Sequence, residues 1–366
     1  MLPIAYRLDE LAHGRENNLN LLRMIAASMV MFSHAYALTL RAGDEPIAAL
    51  SRGAIDAGTI GVITFFGISG FLIAQSLERT PSLGRYAIAR ALRIVPGLYL
   101  AKLFCVVAVG WTVTILPSPS YWVDAGTWRF LLGMPFFGMP DRLPGVFVTL
   151  PYPLAVNGSL WTIPVEIWCY GIAAMIAVVG LTRGTIVYSV LFVAAIVAYV
   201  IFPQASRDLM PFDGYGTIPG LVASFFFAVW LHACRRMVPV SLPLAGIVAV
   251  LIVACPLVPR TGPWCFYLGI PYLALVAAYH PRLQWRRYLR FGDYSYGTYV
   301  LAFPVQQFLI WRFGPLQPLL SFALTLAVTL PLAMLSWHFV EAPALALKST
   351  LIAYRPRFRA ASRDAR

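Results

Sequence analysis

Apolar residues in this chain arrive in blocks of roughly 17–25, the length a helix needs to cross about 30 Å of hydrocarbon. The blocks lie near 19–40, 59–77, 95–116, 128–148, 160–180, 184–203, 216–233, 240–258, 264–280, 294–313 and 318–340. A soluble core does not account for them: 60% of the residues are hydrophobic and 12% charged, where soluble domains carry about 45–50% and roughly 25%. The pattern predicts an all-α integral membrane protein. The weakest block is 128–148, inside a stretch that holds Pro117, Pro119, Pro135, Pro140, Pro144, Pro151 and Pro153 and is interrupted by Asp124, Arg129, Asp141 and Arg142. Such a stretch fits an external loop with partly inserted pieces better than a clean span. Ten spans remain.

The basic residues test that count, because cytoplasmic loops collect Lys and Arg. With the N-terminus inside and ten crossings, 21 of the 28 Lys and Arg residues, Lys102 among them, fall on the cytoplasmic side. An eleventh crossing at 128–148 would turn the later basic loops outward. The expectation is a bundle of about ten transmembrane helices with both termini cytoplasmic. It forms one domain over 1–347, followed by a basic tail, 348–366, that touches anionic lipid. The net charge of +13 does not point to nucleic acid, since the basic residues sit in short runs between apolar blocks. The polar start, Met1 to Asn18, leads into a segment too long for a signal-peptide core, so the first span is expected to be retained. Five cysteines without a CxxC pair support neither a metal site nor a disulfide framework.

Ionisable residues inside spans are costly and mark candidate sites. Here they are Arg23, His34, Glu166, His232, His338 and Glu341, with His280 at a boundary and His13 in the polar start. Arg23 and His34 are eleven residues apart, about three turns, so they share a face at heights about 16 Å apart. They cannot touch, but they suit an elongated ligand gripped at two heights. Coenzyme A is such a ligand, with phosphates at one end and a thioester at the far end of a flexible arm. The alternative is an arginine that snorkels and a histidine satisfied within the bundle. Arg90 and Arg93 lie one turn apart on an expected short helix, where paired guanidiniums suit phosphates or simply mark the cytoplasmic side. Downstream, Asn157-Gly158-Ser159-Leu160-Trp161 enters the membrane from outside, and Pro164 starts a helix that puts Glu166 near its positive end.

These residues resemble acyltransferase family 3, the integral membrane acyltransferases of bacterial surface polysaccharide, lipopolysaccharide and nodulation factors. Arg23 with His34 eleven positions later resembles the family's first-span pattern, and Phe65-Phe66-Gly67-Ile68-Ser69-Gly70-Phe71-Leu72 its second-span signature. The basic turn Arg90-Ala91-Leu92-Arg93-Ile94-Val95-Pro96, the run Asn157 to Glu166, Gly292-Asp293-Tyr294-Ser295-Tyr296-Gly297 and Val340-Glu341-Ala342-Pro343 follow in family order. The resemblance implies an acyl-CoA donor, acetyl-CoA being the commonest, reached from the cytoplasm, a carbohydrate acceptor outside, and a place in the cell inner membrane. It implies a catalytic place for His34 and Glu166, donor contacts for Arg23, Arg90, Arg93 and Ser69, and acceptor contacts for Asn157, Trp161 and Tyr296. It departs at Ala302-Phe303-Pro304, where many members carry a histidine, which shifts the chemical burden to His34.

The expected mechanism has His34 as general base on a sugar hydroxyl, with Glu166 orienting His34 or the sugar. Trp161, Tyr121, Trp122 and Tyr152 are candidate sugar-stacking rings or, equally, members of an interfacial aromatic belt. Ser69 as nucleophile is disfavoured because no base stands at a fixed spacing from it. No metal is called for, and self-association of copies is compatible with such a chain. The rival is a multi-span transporter or flippase of a sugar, lipid or acid, which also buries charge but consumes no coenzyme A.

Overall fold

A computed structural model describes residues 6–14, 16–79, 82–136, 139–178, 217–254, 256, 262–285, 288 and 291–353. The expected span 184–203, the end of the basic tail from 354, and Arg15, Arg183, Arg207, Arg260, Arg286, Arg287 and Arg290 of the charge tally lie outside the described residues. Within them the chain is helical apart from one two-residue antiparallel pair, Tyr6–Arg7 with Pro239–Val240, and an isolated bridge from Arg142 to Ala155. The main helices are α1 (Leu19–Ala37), α2 (Ala57–Arg79), α3 (Leu83–Phe104), α4 (Ser118–Val123), α5 (Ala125–Leu132) and α6 (Thr162–Val178). They are followed by α7 (Ile218–Ala233), α8 (Leu242–Ala254), α9 (Gly262–Tyr279), α10 (Ser295–Phe313), α11 (Pro318–Ser336) and α12 (Ala342–Ala353). Among the described residues, three stretches are long and apolar enough to cross a membrane: Ala57–Arg79, Leu83–Val113 and Pro318–Leu347.

α2 is the central helix, packed on α1, α7 and α9. Glycines let its neighbours approach at backbone distance, as small residues do in membrane bundles. A Cβ on Gly61 would lie 2.5 Å from the carbonyl oxygen of Ala26 in α1, and one on Gly70 would overlap the carbonyl of Phe225 in α7. Around α2 the largest apolar cluster joins Val30, Ile63, Phe66, Leu98, Phe225 and Val300.

Two expectations change. The basic turn at 83–95 is not a loop helix followed by a new span. It is the start of α3, which carries Pro96 inside it and runs on through a π-helical turn, Cys105–Gly110, to Val113. Pro96 removes one hydrogen-bond donor without ending the helix, as happens where neighbouring helices support the kink. Lys102, counted with the cytoplasmic charges, is instead fully buried. Its Nζ donates to the Gly133 carbonyl at 2.6 Å and lies 4.9 Å from the centre of the Tyr99 ring.

Among its described residues, segment 117–155 has no helix long enough to span: α5, with Phe130 buried, ends at Leu132, and the stretch after it buries Val146 and Phe147 against the bundle. The absence of a disulfide expectation is also corrected, because Cys265 is disulfide-bonded, while Cys105, Cys169 and Cys234 are free thiols. Disulfide partners need proximity in space rather than a short motif.

The glycine contacts yield a test. Gly70→Leu forces α2 off α7 and should lower the melting temperature in detergent by several degrees or prevent recovery of folded protein. Gly246→Ala, with nothing within 4 Å of the added carbon, should leave it unchanged or slightly higher.

Candidate active site

Two clusters of polar residues share α1. Toward its start, Arg23 Nη1 donates to Asp293 Oδ2 at 3.0 Å, and Arg93 Nη2 of α3 donates to the same oxygen at 2.5 Å. The other carboxylate oxygen accepts from the Ser295 hydroxyl and, at 3.4 Å, from the Ser295 backbone N–H. The Asp293 side chain is 8% exposed, those of Arg23 and Arg93 20% and 14%, so these pairs sit in a partly desolvated site where charge interactions are strong. Burial alone would raise the Asp293 pKa, but Arg23 and Arg93, with the Ser295 hydrogen bond, hold it well below the usual carboxylate range. The Phe65 ring faces Arg23 and the Tyr296 ring faces Arg93, each with its centroid 5.9 Å from the guanidinium carbon.

Beside these arginines, Glu166 Oε1 accepts from Ser69 Oγ at 2.7 Å and from Tyr170 OH at 2.5 Å, and the two hydroxyls lie 2.7 Å apart. Arg23 lies within electrostatic reach of both Asp293 and Glu166. Glu341 accepts from Ser336 Oγ at 2.7 Å, while its Oε2 is buried with no donor among the described residues. Arg90 is half-buried, and its Nε is buried without an acceptor among the described residues. An orphaned guanidinium N–H of this kind fits an anionic ligand absent from the free protein.

Further along α1, His34 packs edge-on against Phe303, ring centroids 5.1 Å apart. Its Nδ1 is buried with no hydrogen-bond partner among the described residues. The acid whose charge reaches His34 is Asp56, just before α2, not Glu166. Phe303 also covers Gly158, where a Cβ would meet its ring at 2.7 Å, and lies 6.5 Å from the Tyr152 ring. The residue beside the missing histidine therefore joins His34 to the 157–159 turn.

The structure thus brings Arg23, Arg93, Ser69 and Glu166 together and sets His34 apart, about three turns along one helix. Three acceptor expectations meet a different geometry. Asn157 is fully buried. Its Nδ2 donates to the Val300 carbonyl at 2.8 Å and to Cys105 Sγ at 3.8 Å, and its Oδ1 accepts from Ser159 N. The amide is thus committed to joining this turn to α10. Tyr296 is buried, with its hydroxyl on the Ile94 carbonyl at 2.9 Å. Tyr121 is buried with its hydroxyl on Val106 O at 2.9 Å, so it stacks on no sugar. Trp161 and Trp122 are half-buried against the core.

Sequence reasoning did not single out Asp293, Tyr170, Asp56 or Lys102. Tyr170 had a readable signal, since it stands four residues after Glu166 on one helix face. Asp293 had one too, as an acid two residues before a span. His232 and Glu78 form a separate site with Arg235, at 2.9 Å and 2.8 Å, on a cavity of about 270 Å³ that His13 also lines. His338 is exposed, its Nδ1 near the Met334 carbonyl, and His280 accepts from the Arg282 N–H.

A helical bundle of transmembrane type, with an arginine–carboxylate cluster at Arg23 and, further along the same helix, a half-buried histidine whose Nδ1 has no partner among the described residues, is the class of site defined here. The chain belongs to acyltransferase family 3: the model of that family's acyltransferase domain matches residues 16–338. It is therefore an acyltransferase. It is 30% identical over 337 residues to an O-acetyl transferase of Shigella phage Sf6, covering 89% of this chain and 95% of the phage protein. It is 26% identical to nodulation protein 10 of Rhizobium leguminosarum bv. viciae, covering 95% of this chain and 98% of that one. No solved structure matches.

The geometry of Asn157 predicts a stability phenotype independent of any ligand. Asn157→Ala leaves the buried Val300 carbonyl without its donor and should cost about 1–3 kcal/mol, read as a lower unfolding temperature of the substrate-free protein. An unchanged unfolding temperature would return Asn157 to the acceptor site.

Proposed function

We propose that this acyltransferase is a membrane-bound O-acyltransferase that moves an acyl group, acetyl in the first instance, from cytoplasmic acyl-CoA to a hydroxyl of a surface or exported carbohydrate. The likeness to a phage O-acetyl transferase supports O-acetyl transfer, and the likeness to a nodulation protein fits a carbohydrate acceptor. Ten spans with both ends in the cytoplasm, as one domain over 1–347 in the cell inner membrane, is the arrangement that the charge asymmetry of the sequence supports.

The observation that carries the mechanism is the placement of Arg23, tied through Asp293 to Arg93, and His34 at different heights on one face of α1. In this reading Arg90, Arg23 and Arg93 hold donor phosphates near the cytoplasmic mouth, and the flexible arm brings the thioester up to His34. The acceptor hydroxyl oxygen bonds to the thioester carbonyl carbon as the carbon–sulfur bond breaks. The hydroxyl proton passes to the His34 imidazole and then to the departing thiolate, giving free coenzyme A. Asp56, just before α2, is the acid whose charge acts on the His34 imidazole. Glu166 holds the Ser69 and Tyr170 hydroxyls along the path between the two ends. Trp161 is an acceptor-side candidate, beside Asn157 and Tyr296, whose polar groups bond within the protein.

Purified protein given acetyl-CoA should release free thiol faster when carbohydrate from the native host is added. His34→Ala should lose that stimulation by about 10²–10⁴-fold while still binding coenzyme A. Arg90→Ala should raise the donor KM more than it lowers kcat. Failure of the wild type to bind or consume any acyl-CoA would contradict the donor assignment and revive the transport reading.

A further inference from the structure

Asp293 stands where the proposed reaction needs free guanidinium groups. Its Oδ2 engages Arg23 Nη1 at 3.0 Å and Arg93 Nη2 at 2.5 Å, so two of the three arginines assigned to the donor are already bonded to the chain's own anion. At full ionisation Asp293, Glu166 and Glu341 balance Arg23, Arg90 and Arg93, which leaves the empty cluster no surplus charge to hold a polyanion.

The three acids are not equivalent. Glu166 is held by the Ser69 and Tyr170 hydroxyls and Glu341 by Ser336, each on a helix or its π-helical turn. Asp293 sits ahead of α10, outside any helix; Ser295 holds its Oδ1, while its Oδ2 is held by the two arginines, so turning that oxygen away breaks no bond to a neutral group. A carboxylate and a phosphate offer a guanidinium the same thing, anionic oxygens in the plane of its N–H fork. Arg90, with no acid partner among the described residues and a buried, unsatisfied Nε, is left free to make the first contact.

We propose that Asp293 is a displaceable counter-ion, a positioning residue that holds Arg23 and Arg93 in place while the site is empty and yields their N–H groups to the phosphates of an entering acyl-CoA. The inference rests on the donor reading above. It explains how like-charged arginines are kept side by side in a partly desolvated site: the carboxylate offsets their repulsion until a phosphate takes its place. It also carries a cost, since every binding event must first break two ion pairs, and the apparent donor affinity is reduced accordingly.

The test is coenzyme A binding to the full-length protein in detergent, by calorimetry, for wild type, Asp293→Asn and Asp293→Glu. Asp293→Asn keeps the shape and removes the charge, so it should bind about tenfold more tightly, equivalent to about 1.4 kcal/mol. Its donor KM should fall with no rise in kcat. Asp293→Glu, which restores the charge, should return the affinity toward wild type. A purely structural tie between helices predicts the opposite, and equal or weaker binding by folded Asp293→Asn overturns the counter-ion role while leaving the donor reading intact. If the wild type binds no coenzyme A, the donor reading falls and this inference with it. Should Asp293→Asn not fold, infrared difference spectra of wild type labelled with [4-¹³C]aspartate decide the matter. Coenzyme A should shift an aspartate carboxylate band, and an unchanged spectrum overturns the proposal.

Discussion

The pair of ion bridges from Asp293 to Arg23 and Arg93 is the interaction on which the rest of this site depends. It joins the first helix, the third and the turn before α10, segments as far as 270 residues apart in sequence. A buried charge that loses its partner is costly, so none of the three leaves the cluster unless another charge takes its place. Once they are fixed, the face of α1 is fixed, and with it the direction in which His34 points. The aromatic faces of Phe65 and Tyr296 over the guanidiniums complete an environment that is apolar except where charge is matched.

Separation of the two ends is the second constraint. An arginine cluster and a histidine on one rigid helix make a ruler of about 16 Å, long enough that the groups serve different parts of one extended substrate. Beside the arginines, other helices supply further polar groups, Ser69 on α2 and Glu166 and Tyr170 on α6. Glycines at 61 and 70 draw α2 close enough to α1 and α7 for those groups to reach a common region. Packing with small residues and placement of chemistry are thus one design in this bundle.

Much of this was legible in the sequence. The apolar blocks located most helices to within a few residues, because hydrocarbon thickness sets a length and lipid forbids exposed backbone. Arg23, His34 and Glu166 were found because charge in such blocks is costly. What stayed hidden were the consequences of three-dimensional pairing. Pro96 reads as a helix end, yet α3 passes through it because tertiary packing supports the break. Lys102 reads as a topology signal, yet it is buried on the Gly133 carbonyl, a partner found only when the 117–155 segment folds back. Asn157 and Tyr121 look like acceptor-facing polar groups until their hydrogen bonds are seen to be used within the protein. Asp293 was visible as a letter in a motif, but its role comes from two arginines in distant segments. The disulfide at Cys265 was missed for the same reason.

The central claim is that one continuous site joins the arginine cluster to His34. A cryo-electron microscopy structure of the full-length protein with coenzyme A bound tests it most directly. The account predicts phosphates against the guanidiniums of Arg90, Arg23 and Arg93 and the sulfur at the His34 end, close enough for an acyl carbon to meet an acceptor oxygen at about 3–3.5 Å. Coenzyme A lodged elsewhere, for example in the cavity beside Glu78 and His232, or with its sulfur turned away from His34, would contradict it.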